Sequence, residues 1–207
     1  MSLDETTFAR GLRYLTGHDA DLRMVVKRLG PPPMWAREPG FHTLIHIILE
    51  QQVSLASARA AYERLIAAVS PLTPDRFLKL GDAELKAIGF SRQKTSYGRN
   101  LALTVIEGRL DINALGSMDD ATVRGELTKV TGIGRWTADI YLLMALLRPD
   151  VWPGGDLALA VAAQKIKKLE RRPTPEELTA MSADWQPWRA IAARILWHYY
   201  LSKKEGV

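Results

Sequence analysis

The chain has 207 residues, enough for one large domain or two small lobes, and its 47% hydrophobic content is ample for a core. It has no cysteine, which excludes disulfides and thiolate metal sites, and its four histidines show no metal-ligand spacing. No apolar run is long enough to span a bilayer, and no basic-plus-apolar leader with a cleavage site opens the sequence. The expectation is therefore a soluble cytoplasmic protein with no membrane partner. A formal charge of +5 and a pI near 9.5 are compatible with a polyanionic partner but do not by themselves require one.

Nearly every segment reads as helix, so the fold class is all-α. An N-terminal helical stretch runs to Pro31-Pro32-Pro33, an extended spacer, and a helix over Gly40–Gln52 follows. Ser54 caps a helix in which Leu55, Ala58, Tyr62, Leu65, Ile66 and Val69 recur at helical spacing. Thr73-Pro74 and Thr174-Pro175 each pair a capping residue with proline at the first helical position. Ser91 opens a helix running toward Gly108, and Ser117 opens the one that leads into Leu127–Ile140. The segment from about Asp184 to Ser202 reads as one long aromatic-rich helix. There is no convincing strand pattern, internal repeat or low-complexity tract.

Leu127–Ile140, LTKVTGIGRWTADI, reads as a helix, a Gly-x-Gly hairpin and a second helix. Gly132 and Gly134 accept backbone angles that a Cβ forbids, and they hold nothing between the main chain and a phosphate. The next helix begins with free N–H groups and its positive dipole end, an arrangement that grips a nucleic-acid backbone without reading sequence. An ordinary turn between packed helices has the same local signature. What separates the two readings is Asp156, 22 residues after Gly134, in WPGGDLAL. Asp156 follows Pro153-Gly154-Gly155 at a helix start, where capping the helix and carrying chemistry are compatible roles.

The hairpin with its Asp resembles the helix-hairpin-helix DNA glycosylases, and within them the 3-methyladenine DNA glycosylase II (AlkA-type) branch. IILEQQVSLASA (Ile47–Ala58), IGFSRQKTSY (Ile88–Tyr97) and WQPWRAIAARILW (Trp185–Trp197) extend the resemblance from about Pro39 to Tyr199, in the order and spacing of the family. The resemblance implies a single helix-hairpin-helix glycosylase unit over residues 1–207, with two helical lobes flanking a DNA-binding cleft. One lobe takes about 1–53 plus 148–207 and the other about 54–147. The mixed α/β domain that precedes the first matching segment in some members has no room here. The iron–sulfur cluster of related branches is excluded by the missing cysteines.

On that resemblance Asp156 is the catalytic residue. As the glycosidic bond stretches, the sugar becomes oxocarbenium-like, and a fixed negative charge lowers that barrier. A purine methylated at N3 or N7 is already cationic and leaves without a general acid. Asp139 reads as structural or solvated and Asp150 as a turn residue. Bifunctional members carry a lysine after Gly-x-Gly-x; here that position is Trp136, so no Schiff base forms there. Trp136 and Trp197 fall at positions that line the base pocket, where indole faces attract a cationic purine. Trp188 reads as core. Ile140 stands where the family sometimes has a tyrosine, a loss for which Trp35 and Trp152 are candidate compensations.

Base flipping needs a wedge, and Gln52 is the candidate. The DNA-binding set is Gly132, Ile133, Gly134, Arg135, Gln51, Gln52 and Ser54, with Arg92, Lys94, Lys129 and Arg189 as further phosphate contacts. Glu50 departs from the small residue usual in the family and weakens backbone contact unless it is turned away or faces the cationic base. No catalytic metal or cofactor is expected; the resemblance allows a monovalent cation on hairpin carbonyls. The expected function is a monofunctional DNA N-glycosylase, without lyase activity, that excises 3-methyladenine and 7-methylguanine in base excision repair. Its partner would be double-stranded DNA containing alkylated bases, bound on the bacterial chromosome by a monomer. The alternatives are a glycosylase of the same fold for ethenoadenine, hypoxanthine or uracil, and a non-catalytic helix-hairpin-helix binding module.

Overall fold

A computed structural model describes residues 2–202. The described residues form twelve α-helices and two 3-10 turns, with no strand. The helices are α1 (Glu5–His18), α2 (Ala20–Leu29), α3 (Phe41–Glu50), α4 (Leu55–Ala68), α5 (Pro74–Leu78) and α6 (Asp82–Ile88). They continue with α7 (Arg92–Ile106), α8 (Asp120–Thr128), α9 (Arg135–Met144), α10 (Leu157–Ile166), α11 (Pro175–Met181) and α12 (Arg189–Ser202). No helix among them is long and apolar enough to cross a membrane.

The chain divides into two compact units. The first takes the described residues up to Ala36 and from Leu142 onward; the second is Arg37–Tyr141. These boundaries differ from the expected breaks after residues 53 and 147. The reason lies in α3, which packs on α4 and α7 and so belongs to the second unit. The outermost residues of the expected lobes, 1 and 203–207, lie outside the described part.

In the first unit, α12 packs against α1, α2 and α10. Helix α1 starts in a reciprocal cap, with Thr7 N–H donating to Asp4 Oδ1 at 2.7 Å and Asp4 N–H to Thr7 Oγ1 at 2.8 Å. It comes close to α12 at Gly11, where a Cβ would meet the Ile191 side chain and lie 2.7 Å from the Trp188 ring. Asp19 ends α1 and caps α2, and its Oδ2 accepts from Lys167 Nζ at 2.7 Å and Trp185 Nε1 at 2.9 Å. Trp188 is buried as expected, with the Arg10 guanidinium 5.3 Å from its ring centre. Trp152 is also core, tilted against Trp185 with ring centres 5.5 Å apart, so it is no compensating pocket aromatic.

The second unit is built around α3, which is apolar nearly all round and buries Phe41, Leu44, Ile45, Ile47, Ile48 and Leu49. Helix α7 reaches α3 and α5 at Gly98, where a Cβ would lie 2.6 Å from Phe77 Cζ and 3.3 Å from Ile45 Cδ1. Ser54, Thr73, Ser91 and Thr174 cap their helices as the sequence predicts, each hydroxyl accepting a first-turn N–H.

Three expectations need correction. Ser117 does not open α8; it ends a 3-10 turn, and Asp119 caps the helix by accepting from Ala121 and Thr122 N–H. The segment 184–202 is not one helix, because the 3-10 turn Ser182–Trp185 stops before Pro187, which lacks a donor, and α12 starts at Arg189. Helix α3 is shorter than Gly40–Gln52: Gly40, at φ 151°, precedes it, and Gln51 and Gln52 form a turn after it.

Arg194 on α12 is 0% exposed. It donates to Met34 O at 2.7 Å, Ala190 O at 2.9 Å and Leu143 O at 2.8 Å, and burial pulls its guanidinium down to about 10. Three carbonyls from separate stretches of the chain thus converge on one side chain. Arg194→Met keeps the length but leaves all three without this donor, and the expected cost is at least about 3 kcal/mol. Urea denaturation of both proteins measures it; a loss below 1 kcal/mol would show that water or repacking replaces the arginine.

Candidate DNA-repair site

The turn Trp152–Asp156 delivers the first group. Gly154 N–H donates to Trp152 O at 3.0 Å, and Gly155 sits at φ +79°, a conformation that favours glycine. Asp156 then caps α10, its Oδ1 accepting from Leu159 N–H at 2.9 Å. The same oxygen accepts from Trp197 Nε1 at 3.2 Å. Trp197 lies on α12, 41 residues on, so the predicted catalytic carboxylate and one predicted pocket tryptophan are brought into direct contact. Asp156 is half-buried, and its neighbour Leu157 is 58% exposed, an apolar surface residue that the sequence reading did not single out. On the same unit Trp35, at φ +48°, lies edge-on to His198 with ring centres 6.4 Å apart.

The hairpin lies in the second unit. Helix α8 closes with Val130 N–H on Leu127 O, and Ile133 N–H turns back to Val130 O at 3.0 Å. Gly132 adopts φ +98°, and a Cβ there would meet the Tyr97 ring and lie 2.6 Å from Tyr97 Cβ. Gly134 has neither constraint: its φ is not positive, and a Cβ would find open space. The expectation that both glycines are conformationally required therefore holds for Gly132 alone. Ile133 is buried and its N–H is used inside the turn, so it serves as a peg beneath the hairpin rather than as a surface contact. Helix α9 follows, and its first N–H groups lack intrahelical acceptors as at any helix start. Arg135, with its side chain 79% exposed, and the half-buried Trp136 stand in that first turn.

Around the Gln51–Ser54 turn the polar groups are already engaged. Gln51 Nε2 donates to Gly132 O at 2.9 Å and to Thr137 Oγ1 at 3.0 Å. Gln52 is exposed at φ +56°. The Ser54 hydroxyl accepts from Ser57 N–H at 3.1 Å. Glu50 is turned away from solvent: Arg37 binds it at both oxygens, 3.1 and 2.6 Å, and its side chain is 8% exposed. Arg37 was not legible as its partner, because no local pattern pairs residues 13 apart.

Several expected phosphate contacts are committed elsewhere. Lys94 Nζ donates to Leu49 O at 2.7 Å, and burial lowers its ammonium from the ordinary value. Arg189 pairs with Asp150, with Nε–Oδ1 at 2.9 Å and Nη2–Oδ2 at 2.8 Å, so Asp150 is an ion-pair partner at the start of α12 rather than a plain turn residue. Lys129 pairs with Glu126 on its own helix. Arg92 remains exposed. Asp139 is 0% exposed and is bound by Arg124 Nε at 2.5 Å. Burial raises its carboxyl above the usual range against the pull of Arg124, and it is structural, not solvated. No group of three or more His, Asp or Glu is placed to hold a metal among the described residues.

The two glycines separate fold from contact. Gly132→Ala should destabilise the protein by about 2–4 kcal/mol, from left-handed strain plus the clash with Tyr97, whereas Gly134→Ala should stay within about 0.5 kcal/mol. Chemical denaturation reads both; equal losses would overturn the difference between the two glycines.

A family model described as HhH-GPD superfamily base excision DNA repair protein matches residues 45–187. The YfjP protein of Bacillus subtilis is 28% identical over 165 residues, covering 76% of this chain and 58% of that protein. An AlkA protein of Mycobacterium tuberculosis is 30% identical over 94% of this chain, which spans only 43% of its length. The solved structure of the Schizosaccharomyces pombe 3-methyladenine DNA glycosylase in complex with abasic DNA aligns with a TM-score of 0.86 at 26% identity, covering 91% of this chain and 95% of that one. The chain thus spans about half the length of these two relatives and nearly all of that structure. With the hairpin, the helix-capping aspartate and an all-helical fold already in place, the match over residues 45–187 decides the family: the chain belongs to the HhH-GPD superfamily of base excision DNA repair proteins.

Proposed function

We propose that this protein is a monofunctional DNA N-glycosylase that excises alkylated purines of the 3-methyladenine and 7-methylguanine type from duplex DNA. The observation that carries the reading is the Asp156 carboxylate, held through Oδ1 by the Leu159 and Trp197 N–H groups. Two donors from different helices fix its orientation before any substrate arrives. Preorganised charge of this kind acts on a transition state without reorganisation at the moment of reaction.

In the reaction, the glycosidic electron pair leaves with the cationic purine, which departs as a neutral base. The sugar passes through an oxocarbenium-like state that the Asp156 charge stabilises. Water adds to the anomeric carbon, and its proton passes to Asp156 or solvent. Trp197 is buried in the first unit like Trp152, so its part in this reading is to hold the carboxylate through its N–H. The half-buried Trp136, on the second unit, would favour a delocalised cation by about 0.5–2 kcal/mol through its ring face. On the second unit, the first turn of α9 and Arg135 would take phosphate oxygens, while Gln52 fills the gap left by the flipped nucleotide. A monovalent cation at the hairpin would bind neutral carbonyls. Val130, Thr131 and Gly132 O each already accept one hydrogen bond, which leaves a lone pair on each. The names of the relatives support the substrate class, and the monomer is the simplest assembly that provides every group named.

Two experiments test this reading. Asp156→Asn keeps the cap but removes the charge; base release in single turnover should fall at least about a hundredfold, while binding to an abasic-analogue duplex persists. Released bases from methylated DNA are identified by mass spectrometry; near-normal release by folded Asp156→Asn protein defeats the assignment. Because Trp136 replaces the lysine, borohydride should trap no protein–DNA adduct, and product strands should stay intact until heat or alkali is applied. A stoichiometric adduct would assign the attack to another amine.

A further inference from the structure

We propose that Gln51 is a positioning residue that couples the hairpin's hold on the phosphate backbone to insertion of Gln52 into the duplex; this rests on the reading of the protein as a base-flipping glycosylase. Gln51 and Gln52 are adjacent, yet their side chains do opposite things. Gln52 is exposed, on a backbone at φ +56°, which few residues other than glycine adopt. Gln51 turns inward and spends both hydrogens of Nε2 on the hairpin region, one on Gly132 O and one on Thr137 Oγ1. These acceptors lie 81 and 86 residues away, one at the hairpin tip and one in the first turn of α9. The two elements that would touch DNA are therefore joined through one carboxamide.

The surroundings of that carboxamide are rigid. Gly132 is packed against Tyr97, and Thr131 O accepts from Asn100 Nδ2, so the hairpin is seated on α7. Below the turn, Lys94 from the same helix holds Leu49 O, and Arg37 holds the Glu50 carboxylate. The turn is thus fixed at Leu49, Glu50 and Gln51, and its exposed part is the tip formed by Gln52 and Val53. Unstacking a base costs a few kcal/mol. A wedge on a loose turn would yield its own backbone to that load. A wedge tied to Gly132 passes the load to the hairpin and so to the phosphates the hairpin grips. Binding and insertion then become one event.

The test uses the full chain with Asp156→Asn to stop turnover, and adds Gln51→Leu, Gln52→Ala, both together, and Thr137→Val. Three quantities are read: melting temperature, affinity and salt slope on undamaged duplex, and fluorescence of 2-aminopurine placed beside an abasic analogue. Gln51→Leu should melt within a few degrees of the parent and keep the parent's salt slope on undamaged duplex, since the Gln51 carboxamide is neutral and its Nε2 is spent on Gly132 and Thr137. Its 2-aminopurine response, and its preference for the abasic analogue, should fall about tenfold with the loss of both Nε2 hydrogen bonds at this junction. Gln52→Ala should lose the 2-aminopurine response and the abasic preference to the same extent, and the double variant should be no worse than either single one. Thr137→Val removes one of the two acceptors without touching the turn and should give an intermediate loss even if Gln51→Leu folds poorly. A full fluorescence response from Gln51→Leu, or losses that multiply in the double variant, would overturn the coupling. A full response from Gln52→Ala would overturn it too, since no wedge would remain to couple. Release of methylated purines by the unmodified protein is scored separately: absence of release with the coupling intact refutes the glycosylase reading and leaves the role of Gln51 standing.

Discussion

Every helix end leaves backbone groups without intrahelical partners, four N–H at the start and four C=O at the finish. A chain whose described residues are divided among twelve α-helices carries that constraint at every junction. Much of the polar chemistry in this protein answers it. Asp4, Asp19, Ser54, Thr73, Ser91, Asp119 and Thr174 satisfy helix starts with their own side chains. Where a carbonyl has no donor nearby in the chain, a long cation is brought to it: Arg194 to Met34 and Leu143, and Lys94 to Leu49.

The candidate site is drawn from the same material. Asp156 is a helix cap with a second donor from Trp197. The hairpin leads into α9, whose first-turn N–H groups have no intrahelical acceptor, as at every helix start. A helix start of this kind suits a polyanion, which brings acceptors and meets the positive end of the helix dipole. Buried charges follow the complementary rule that each is compensated where it sits. Glu50 is neutralised by Arg37 and Asp139 by Arg124, so these acids add little repulsion toward a polyanion. Arg135 and Arg92 are left at the surface.

The caps at Ser54, Thr73, Ser91 and Thr174 were legible because they depend on a few consecutive residues. Thr73-Pro74 and Thr174-Pro175 carry a side-chain acceptor and a preset φ side by side, and no distant group competes with them. Ser117 misled for the same local reason. Asp119 is an equally good cap two residues later, and the choice went to the residue whose helix could bury Val123 and Leu127. The long C-terminal helix was misread because hydrophobic spacing carries across Pro187, while Asp150, which binds the Arg189 side chain, is 39 residues away. The unit boundary moved for a related reason: α3 looks like the end of an N-terminal segment in the chain, but its apolar surface is satisfied only by α4 and α7.

By itself, the sequence determined the all-helical class, the helix starts at Ser54, Thr73, Ser91 and Thr174, the position of the hairpin and the aspartate that caps α10. Each follows from short-range geometry: a hydroxyl three residues from an N–H, a proline at a first turn, two glycines around an isoleucine, an aspartate after Gly-Gly. Only the tertiary structure decided which polar side chains remain available for a ligand. It removed Lys94 and Arg189 from the phosphate set, turned Glu50 inward, and separated Gln51, which faces the hairpin, from Gln52, which faces solvent. It also reduced the two hairpin glycines to one that is required, because the constraint at Gly132 comes from Tyr97 on another helix. Hydrogen bonds across 13 to 86 residues leave no periodic trace in a sequence, since they depend on where packing places the two ends.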